Sequence, residues 1–248
     1  MTLIMKGGEP FFFEGGPRGL LMVHGFTASP QEMRWMGTSL HERGYTVLGV
    51  RLAGHATSLA DLARVRWQDW FHSVEDGYHQ LSSRCSDVIP IGISLGGALS
   101  LMLASMHPVK AFIGLSTPYR LDLPPTRLLR AASLFRPYKP KDPGGWNRKE
   151  AAAARIHYDA YPLRSIAEIT LLLDHLRPKL PEIHCPVLLM HSRRDDFVTP
   201  DNMENLHNDI GSRNKVRKYF DRSNHILTCD IDREGVLAET AAYLANLK

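Results

Sequence analysis

Gly92-Ile93-Ser94-Leu95-Gly96 carries the clearest chemical content in this chain of 248 residues. An apolar run over residues 88–93 has the look of a buried strand, and residues 96–106 behind the serine read as a helix. A strand-to-helix turn that sharp strains its central residue and calls for glycine on either side, where a Cβ would clash. A serine at the apex projects its hydroxyl outward, and the first N–H groups of the following helix can stabilise a developing oxyanion. That hydroxyl is a weak nucleophile until a base takes its proton and a third group orients the base.

Two later loops supply such groups. The apolar run 187–191 leads into Ser192-Arg193-Arg194-Asp195-Asp196-Phe197-Val198, and the run 216–220 leads into Asp221-Arg222-Ser223-Asn224-His225. His225 is one of 12 histidines, and its place just past the last strand, ahead of the C-terminal helix, marks it as the base. Asp195 and Asp196 are close to equivalent by chemistry alone. Asp195 is preferred because the loop can then turn its carboxylate to His225 and pack Phe197-Val198 beneath. The order serine, acid, histidine is the one found in α/β-hydrolase triads. For the oxyanion, one donor is the backbone N–H of Leu95. The other is the N–H of Phe26, in the loop His24-Gly25-Phe26-Thr27 after an early apolar run, with His24 bracing the loop. Donors of this kind contribute about 3–4 kcal/mol each in a transition state.

These residues need a sheet to converge on. Strands are predicted at 11–14, 19–24, 46–50, 88–93, 111–115, 187–191 and 216–220, and helices at 30–43, 67–83, 96–106, 201–210 and 233–247. Pro30 and Gly44 bracket the first helix as start and stop signals. Strands alternating with helices imply a mostly parallel sheet covered on both faces, the α/β class. The alternation fails over 119–181, where Pro124, Pro125, Pro137, Pro140 and Pro143 precede helical runs at 146–158 and 163–177, with no strand pattern. A helical cap inserted after the sixth strand, over residues 119–181, fits this stretch. Residues 1–118 and 182–248 then form the core domain. Ligands of open α/β sheets bind at the carboxyl ends of the strands, where such a cap would sit. Leu171-Leu172-Leu173 reads equally as acyl-channel lining and as core.

Composition bounds the remaining classes. A hydrophobic fraction of 44% with 23% charged residues is that of a globular protein. The net charge of +4 invites a nucleic-acid reading, but 30 basic residues are interleaved with 26 acidic ones. The densest basic stretch, 213–222, reads as a solvated sheet edge without the aromatic platform of a single-strand binder, so no nucleic-acid partner is expected. Three cysteines without metal spacing imply neither a disulfide framework nor a zinc site, and Cys185 and Cys229 read as near-core residues. With no targeting segment and no apolar run near ~20 residues, a cytoplasmic protein without membrane insertion is expected.

Taken together, Glu9-Pro10-Phe11-Phe12, His24-Gly25-Phe26-Thr27, Arg51-Leu52-Ala53-Gly54-His55, Asp69-Trp70, Gly77-Tyr78, Gly92-Ile93-Ser94-Leu95-Gly96-Gly97, the Asp195 loop and His225 resemble the bacterial carboxylesterase and monoacylglycerol lipase group of the α/β-hydrolases. The resemblance covers nearly the whole chain. It implies Ser94 as nucleophile, His225 as base and acid, and Asp195 as orienting acid, since the family's acid precedes two residues and then a branched aliphatic, here Val198. It also implies Phe26 and Leu95 as oxyanion donors, and hydrolysis of short- to medium-chain esters or monoacylglycerols through an acyl-enzyme. Neither metal nor cofactor is implied. Two motif positions depart from the family: Asn224 stands where glycine usually precedes the histidine, and Ala56 where Gly-His-Gly would end. Asn tolerates left-handed backbone, so the first is expected to be absorbed. Asp159 lies where related lipases place an acidic residue near the glycerol hydroxyls, against the simpler reading of a solvent-facing residue. A thioesterase or amidase would use the same triad. A binding-only hydrolase fold would need no proton relay.

Overall fold

The computed structural model describes residues 3–141, 148, 150 and 155–247. All seven expected strands form one sheet in the order β1-β3-β2-β4-β5-β8-β9. They are β1 Phe11–Phe13, β2 Arg18–Val23, β3 Thr46–Val50, β4 Asp87–Ile93, β5 Phe112–Leu115, β8 Val187–Ser192 and β9 Lys215–Phe220. β1 pairs antiparallel with β3, and every other pairing in this sheet is parallel. Strands β3, β5 and β8 are buried at every residue, because a parallel sheet is covered on both faces.

The period-two alternation of the strands sorts the core into two layers. Leu20, Met22, Ile89 and Ile91 face α1 (Gln31–His41) and α8 (Arg233–Asn246), packing with Met33, Met36, Leu40, Val236 and Leu244. Leu21, Val23 and Leu189 face the other way, toward α3 (Trp67–Ser82), α4 (Leu95–Met106) and α7 (Asp201–Asp209). α4 is buried at every position from Leu95 to Leu103. A helix apolar on all sides must be enclosed on all sides, and α4 lies between the sheet, α3 and α6 (Leu163–Leu176). The short α2 (Leu59–Arg64) starts at Ser58, whose hydroxyl accepts the Asp61 N–H at 3.1 Å.

Between β5 and β8 lie α5 (Thr126–Phe135), the strands β6 (Tyr138–Pro140) and β7 (Ala160–Pro162), and α6, followed by a 3-10 turn over Arg177–Glu182. Two sequence expectations change here. The insertion follows the fifth strand of the sheet, not a sixth: the five strand runs before residue 119 each form one strand, and residues 3–10 form bends and turns. The stretch also contains strands after all: Lys139 pairs with Tyr161 in a two-stranded antiparallel ribbon. Pro140 and Pro162 hide it from the sequence, although a ribbon with no further strand beside it among the described residues tolerates the missing N–H groups. The expected helix at 146–158 falls mostly outside the described residues, and 155–158 are not helical. Leu172 and Leu173 join the same apolar cluster as Leu99 and Leu103, so that run serves the core.

Strand β9 is the exposed edge of the sheet, and its cations have partners. Arg217 pairs with Glu204, Lys218 pairs with Glu239, and Lys215 donates to the carbonyls of His207 and Ile210. Charged, engaged side chains of this kind keep an edge strand from pairing with another chain. Among the described residues, no helix is long and apolar enough to cross a membrane.

Candidate active site

The serine sits at the junction of β4 and α4 with φ 53° and ψ −121°, outside the regions a side-chain-bearing residue prefers. Its neighbours explain why glycines flank it. A Cβ on Gly92 would lie 2.2 Å from the Gly96 carbonyl oxygen, and one on Gly96 would lie 2.2 Å from the Val23 carbonyl oxygen. The Ser94 N–H donates to the Leu115 carbonyl at 2.9 Å, and the Ser94 carbonyl accepts from Gly97 at 2.9 Å. The N–H of Leu95 opens α4, a position that has no partner within its own helix.

Strain recurs around this point. Thr27 (φ 62°) follows β2 and Ser116 (φ 45°) follows β5, so three adjacent strands each end near a non-glycine residue with positive φ. Such conformations cost about 1–3 kcal/mol each and persist where the surroundings enforce them. Ser116 shows one enforcement: its hydroxyl donates to the His225 carbonyl at 2.8 Å.

His225 Nδ1 lies 2.7 Å from Asp195 Oδ2. The other carboxylate oxygen of Asp195 accepts the N–H groups of Phe197 and Val198 at 3.0 and 2.8 Å. His191 Nε2 donates to the Val198 carbonyl at 2.8 Å and stands 3.3 Å from Asp195 Oδ2. Burial opposes the charge on Asp195, yet His225 and His191 together hold its carboxyl well below the usual carboxylate range. Asp196 is exposed, and its N–H reaches the Asn224 side chain at 3.4 Å. The structure therefore brings Asp195, not Asp196, to His225.

The backbone ahead of His225 is tied down by two acids that carried no motif. Asp232 accepts the N–H groups of Arg222 and Ser223, Asp230 accepts that of Asn224, and Ser192 Oγ donates to the Ser223 carbonyl. Asn224 does not take up positive φ, so its tolerance of left-handed backbone is not drawn upon. The strain falls at the other departure, Ala56, with φ 53°.

The loop after β2 is organised differently. His24 Nδ1 donates to the Gly25 carbonyl at 2.9 Å, and Nε2 accepts the Leu52 N–H at 3.2 Å, so the ring is neutral and fixed. Its complete burial lowers its pKa to about 4, in keeping with a bracing residue. Gly25 donates its N–H to Glu32 Oε2 at 2.9 Å, and Glu32 Oε1 meets Arg155 at 2.6 Å. Burial disfavours the Glu32 carboxylate, but Arg155, the Gly25 N–H and His24 more than offset it, and its pKa falls below the ordinary value. Lys141 Nζ donates to Thr27 Oγ1 at 2.5 Å and stands 4.9 Å from the Tyr161 ring centre. Burial, then the positive charge of Arg155, lowers the Lys141 ammonium to about 7. None of Glu32, Lys141 and Arg155 belongs to a recognisable motif.

Phe26 stacks on Tyr161 at 5.9 Å, Tyr161 on Phe197 at 6.1 Å, and Phe197 packs on His225 at 5.2 Å. Phe26 follows β2 and Phe197 follows β8, while β4 and β5 lie between them in the sheet. The stack therefore crosses the ends of the two strands that carry Ser94 and Ser116. Asp159 does not join this cluster: its side chain is 98% exposed, 3.9 Å from His157. Burial raises Cys185 and Cys229 to about 11, so neither offers a thiolate as a rival nucleophile.

A family model described as serine aminopeptidase, S33, matches residues 17–232. The chain is 32% identical over 244 residues to the thermostable monoacylglycerol lipase of Bacillus sp. (strain H-257), covering 98% of this chain and 96% of that protein. It is 26% identical over 240 residues to the carboxylesterase of Bacillus subtilis (strain 168), covering 96% and 97%. A solved structure described as "LipS and LipT, two metagenome-derived lipolytic enzymes" superimposes with a TM-score of 0.92 at 29% identity, over 98% of this chain and 99% of that one.

Proposed function

The chain belongs to the serine aminopeptidase S33 family and has the α/β-hydrolase fold, and on that premise we propose a serine hydrolase of carboxylic esters with Ser94 as its nucleophile. Ser94 Oγ attacks the ester carbonyl while His225 Nε2 accepts its proton; Asp195, bound to Nδ1, fixes the tautomer and stabilises the imidazolium. The N–H groups of Leu95 and Phe26 receive the negative charge on the carbonyl oxygen. His225 returns the proton to the leaving alcohol. A water, activated by the same nitrogen, then releases the acid from Ser94.

The observation that carries this reading is the backbone of Ser94, a non-glycine residue held at φ 53° between two glycines that have no room for a Cβ. A fold retains such strain where the residue at the apex is used. The relatives named monoacylglycerol lipase and carboxylesterase support an ester substrate, monoacylglycerols among the candidates, and the motif resemblance adds short- to medium-chain acyl groups. The Phe26-Tyr161-Phe197 stack gives an acyl chain an apolar wall, with residues 119–181 acting as the cap that carries Tyr161. The three cysteines are free, which suits a cytoplasmic enzyme.

Turnover of p-nitrophenyl esters of graded length by wild type and Ser94→Ala tests the proposal, with p-nitroanilides as the amide comparison. Loss of about 10⁴-fold or more in kcat is expected in the variant. Wild-type turnover in Ser94→Ala would refute the mechanism. Comparing monoacylglycerols with alkyl esters addresses the alcohol side. Because the Asp159 carboxylate stands in solvent, Asp159→Ala is expected to leave that preference unchanged.

A further inference from the structure

We propose that Glu75, His79 and His107 form a binding site for one divalent transition-metal ion of the zinc type, at the end of α4 opposite Ser94. One ligand atom from each lies within 4.8 Å of the other two. Glu75 and His79 are four residues apart on α3, the spacing that puts two side chains on one helix face. His107 comes from a different element: it caps the C-terminus of α4, where its N–H donates to the Leu103 carbonyl at 2.8 Å. An ion held by all three would tie α3 to α4.

The rings are already ordered. His79 and His107 lie 5.4 Å apart at 87°, edge to face, so their nitrogens can converge instead of stacking away from each other. Tyr78 packs against both, at 5.4 and 4.8 Å, and its hydroxyl donates to the Pro108 carbonyl at 3.2 Å. Glu75 Oε1 lies 2.7 Å from His107 Nε2, and a carboxylate at that distance accepts the ring N–H. Two imidazoles and one carboxylate are the donor set of open tetrahedral zinc sites, with water as the fourth ligand. Ligand atoms around zinc stand about 3.4 Å apart, from ~2.1 Å bonds at tetrahedral angles. The Glu75–His107 pair therefore opens by about 0.7 Å from its 2.7 Å, and the exposed His79 closes in. The ion takes the place of the Nε2 proton of His107. In a neutral ring that proton moves to Nδ1, and in a charged ring one of the two is lost to solvent.

The site is independent of the hydrolytic reading. α4 spans 12 residues, so its C-terminal end is about 18 Å from Ser94 at 1.5 Å per residue. Zinc titrated into the whole protein is expected to bind as one ion per chain at micromolar concentration, and to raise the melting midpoint by about 4 °C at saturation. His79→Ala and His107→Gln should each weaken binding about tenfold or more, because each removes one of three ligands. His72→Ala, at an exposed histidine two turns before His79 on α3, should bind as wild type. Magnesium should give no response, since it demands oxygen ligands. Ester turnover by His79→Ala should match wild type. If wild type takes up no zinc below about 100 μM, or His79→Ala binds as tightly as wild type, the site does not exist and Glu75–His107 is a plain hydrogen-bonded brace. His79 is exposed, so its variant decides the matter even if His107→Gln fails to fold.

Discussion

The loops after β8 and β9 take most of their hydrogen bonds from their own corner of the sheet, the inserted segment adding the Tyr161 ring on Phe197 and the Arg148 N–H on Asp230, whereas the loop after β2 depends on that segment. Asp195 is fixed by Phe197, Val198 and His191, and the approach to His225 by Ser192, Ser223, Asp230 and Asp232. On the other side, Gly25 leans on Glu32, Glu32 on Arg155, and Thr27 on Lys141. The Thr27 carbonyl also accepts the N–H of Tyr158 at 3.0 Å. The proposed proton relay is thus held mainly by the core, and the proposed oxyanion loop is completed from the insertion. Substitutions of Arg155 or Lys141 should reach the chemistry through Phe26 and leave the Asp195–His225 pair intact.

The largest effect tests the self-contained side. Asp195→Asn retains the shape but presents an amide to His225 Nδ1, which disfavours the working tautomer; kcat is expected to fall about 10⁴-fold with KM little changed. Asp196→Asn, exposed and remote from the ring, should stay within about twofold of wild type. Comparable losses in the two variants would mean that the two aspartates share the role.

The borrowed side is tested by Glu32 and Arg155. Glu32→Gln removes the carboxylate that faces a nearly buried guanidinium, and stability should fall by about 3 kcal/mol. As the Gly25 anchor weakens, kcat should drop about tenfold, the cost of a displaced but surviving oxyanion donor. Arg155→Met should do similar harm, and the double variant should lose less than the sum of the two. Urea unfolding and ester kinetics measure both quantities. Additive losses would show that the two residues act separately, and the contrast between the loops would weaken.

The two sides also differ in how far sequence reveals them. Ser94, the Asp195-Asp196 pair and His225 each follow an apolar strand run in a fixed order, so local pattern narrows the candidates to these, and the hydrogen bond to His225 singles out Asp195. Glu32 and Arg155 are 123 residues apart, and nothing in either neighbourhood points to the other. Lys141 and Tyr161 are invisible for a related reason: Lys141 directly follows β6 and reaches the ring of Tyr161 in β7, and the prolines of that ribbon erase the strand pattern. His191 was legible as the end of a strand but not as a partner of Asp195, since period-two alternation says only that a residue is buried. The placement after a sixth strand failed because only five apolar strand runs precede residue 119, and those five are the strands that form.

Lys141 gives a pH signature specific to the borrowed side. Its folded-state pKa, lowered to about 7, lies below the unfolded value, so the unfolded chain binds more protons between about pH 7 and 10.4. Stability contributed by this position is therefore lowest below pH 7 and rises as pH climbs through that window. Relative to Lys141→Met, the wild-type melting midpoint should gain roughly 5–10 °C between pH 6.5 and 9. A parallel pH dependence in the two proteins would mean that the ammonium is solvated and exerts no hold on Thr27.

The smallest effect concerns Ala56, in the loop after β3 on which the β2 loop rests through His24 and Leu52. Ala56 is buried at φ 53°, next to Gly54 at φ 72°. An alanine in left-handed backbone costs about 1–2 kcal/mol that glycine avoids, and glycine returns about 0.4–1 kcal/mol of it as added freedom in the unfolded chain. Ala56→Gly should therefore stabilise the protein by about 0.5–1 kcal/mol, a rise of roughly 1–4 °C in melting midpoint. The same substitution should leave the Asp195–His225 side untouched, so the pH profile of kcat should not move. A gain in stability with a shifted profile would show that the two sides are coupled across the sheet, and that the separation between them is one of construction but not of function.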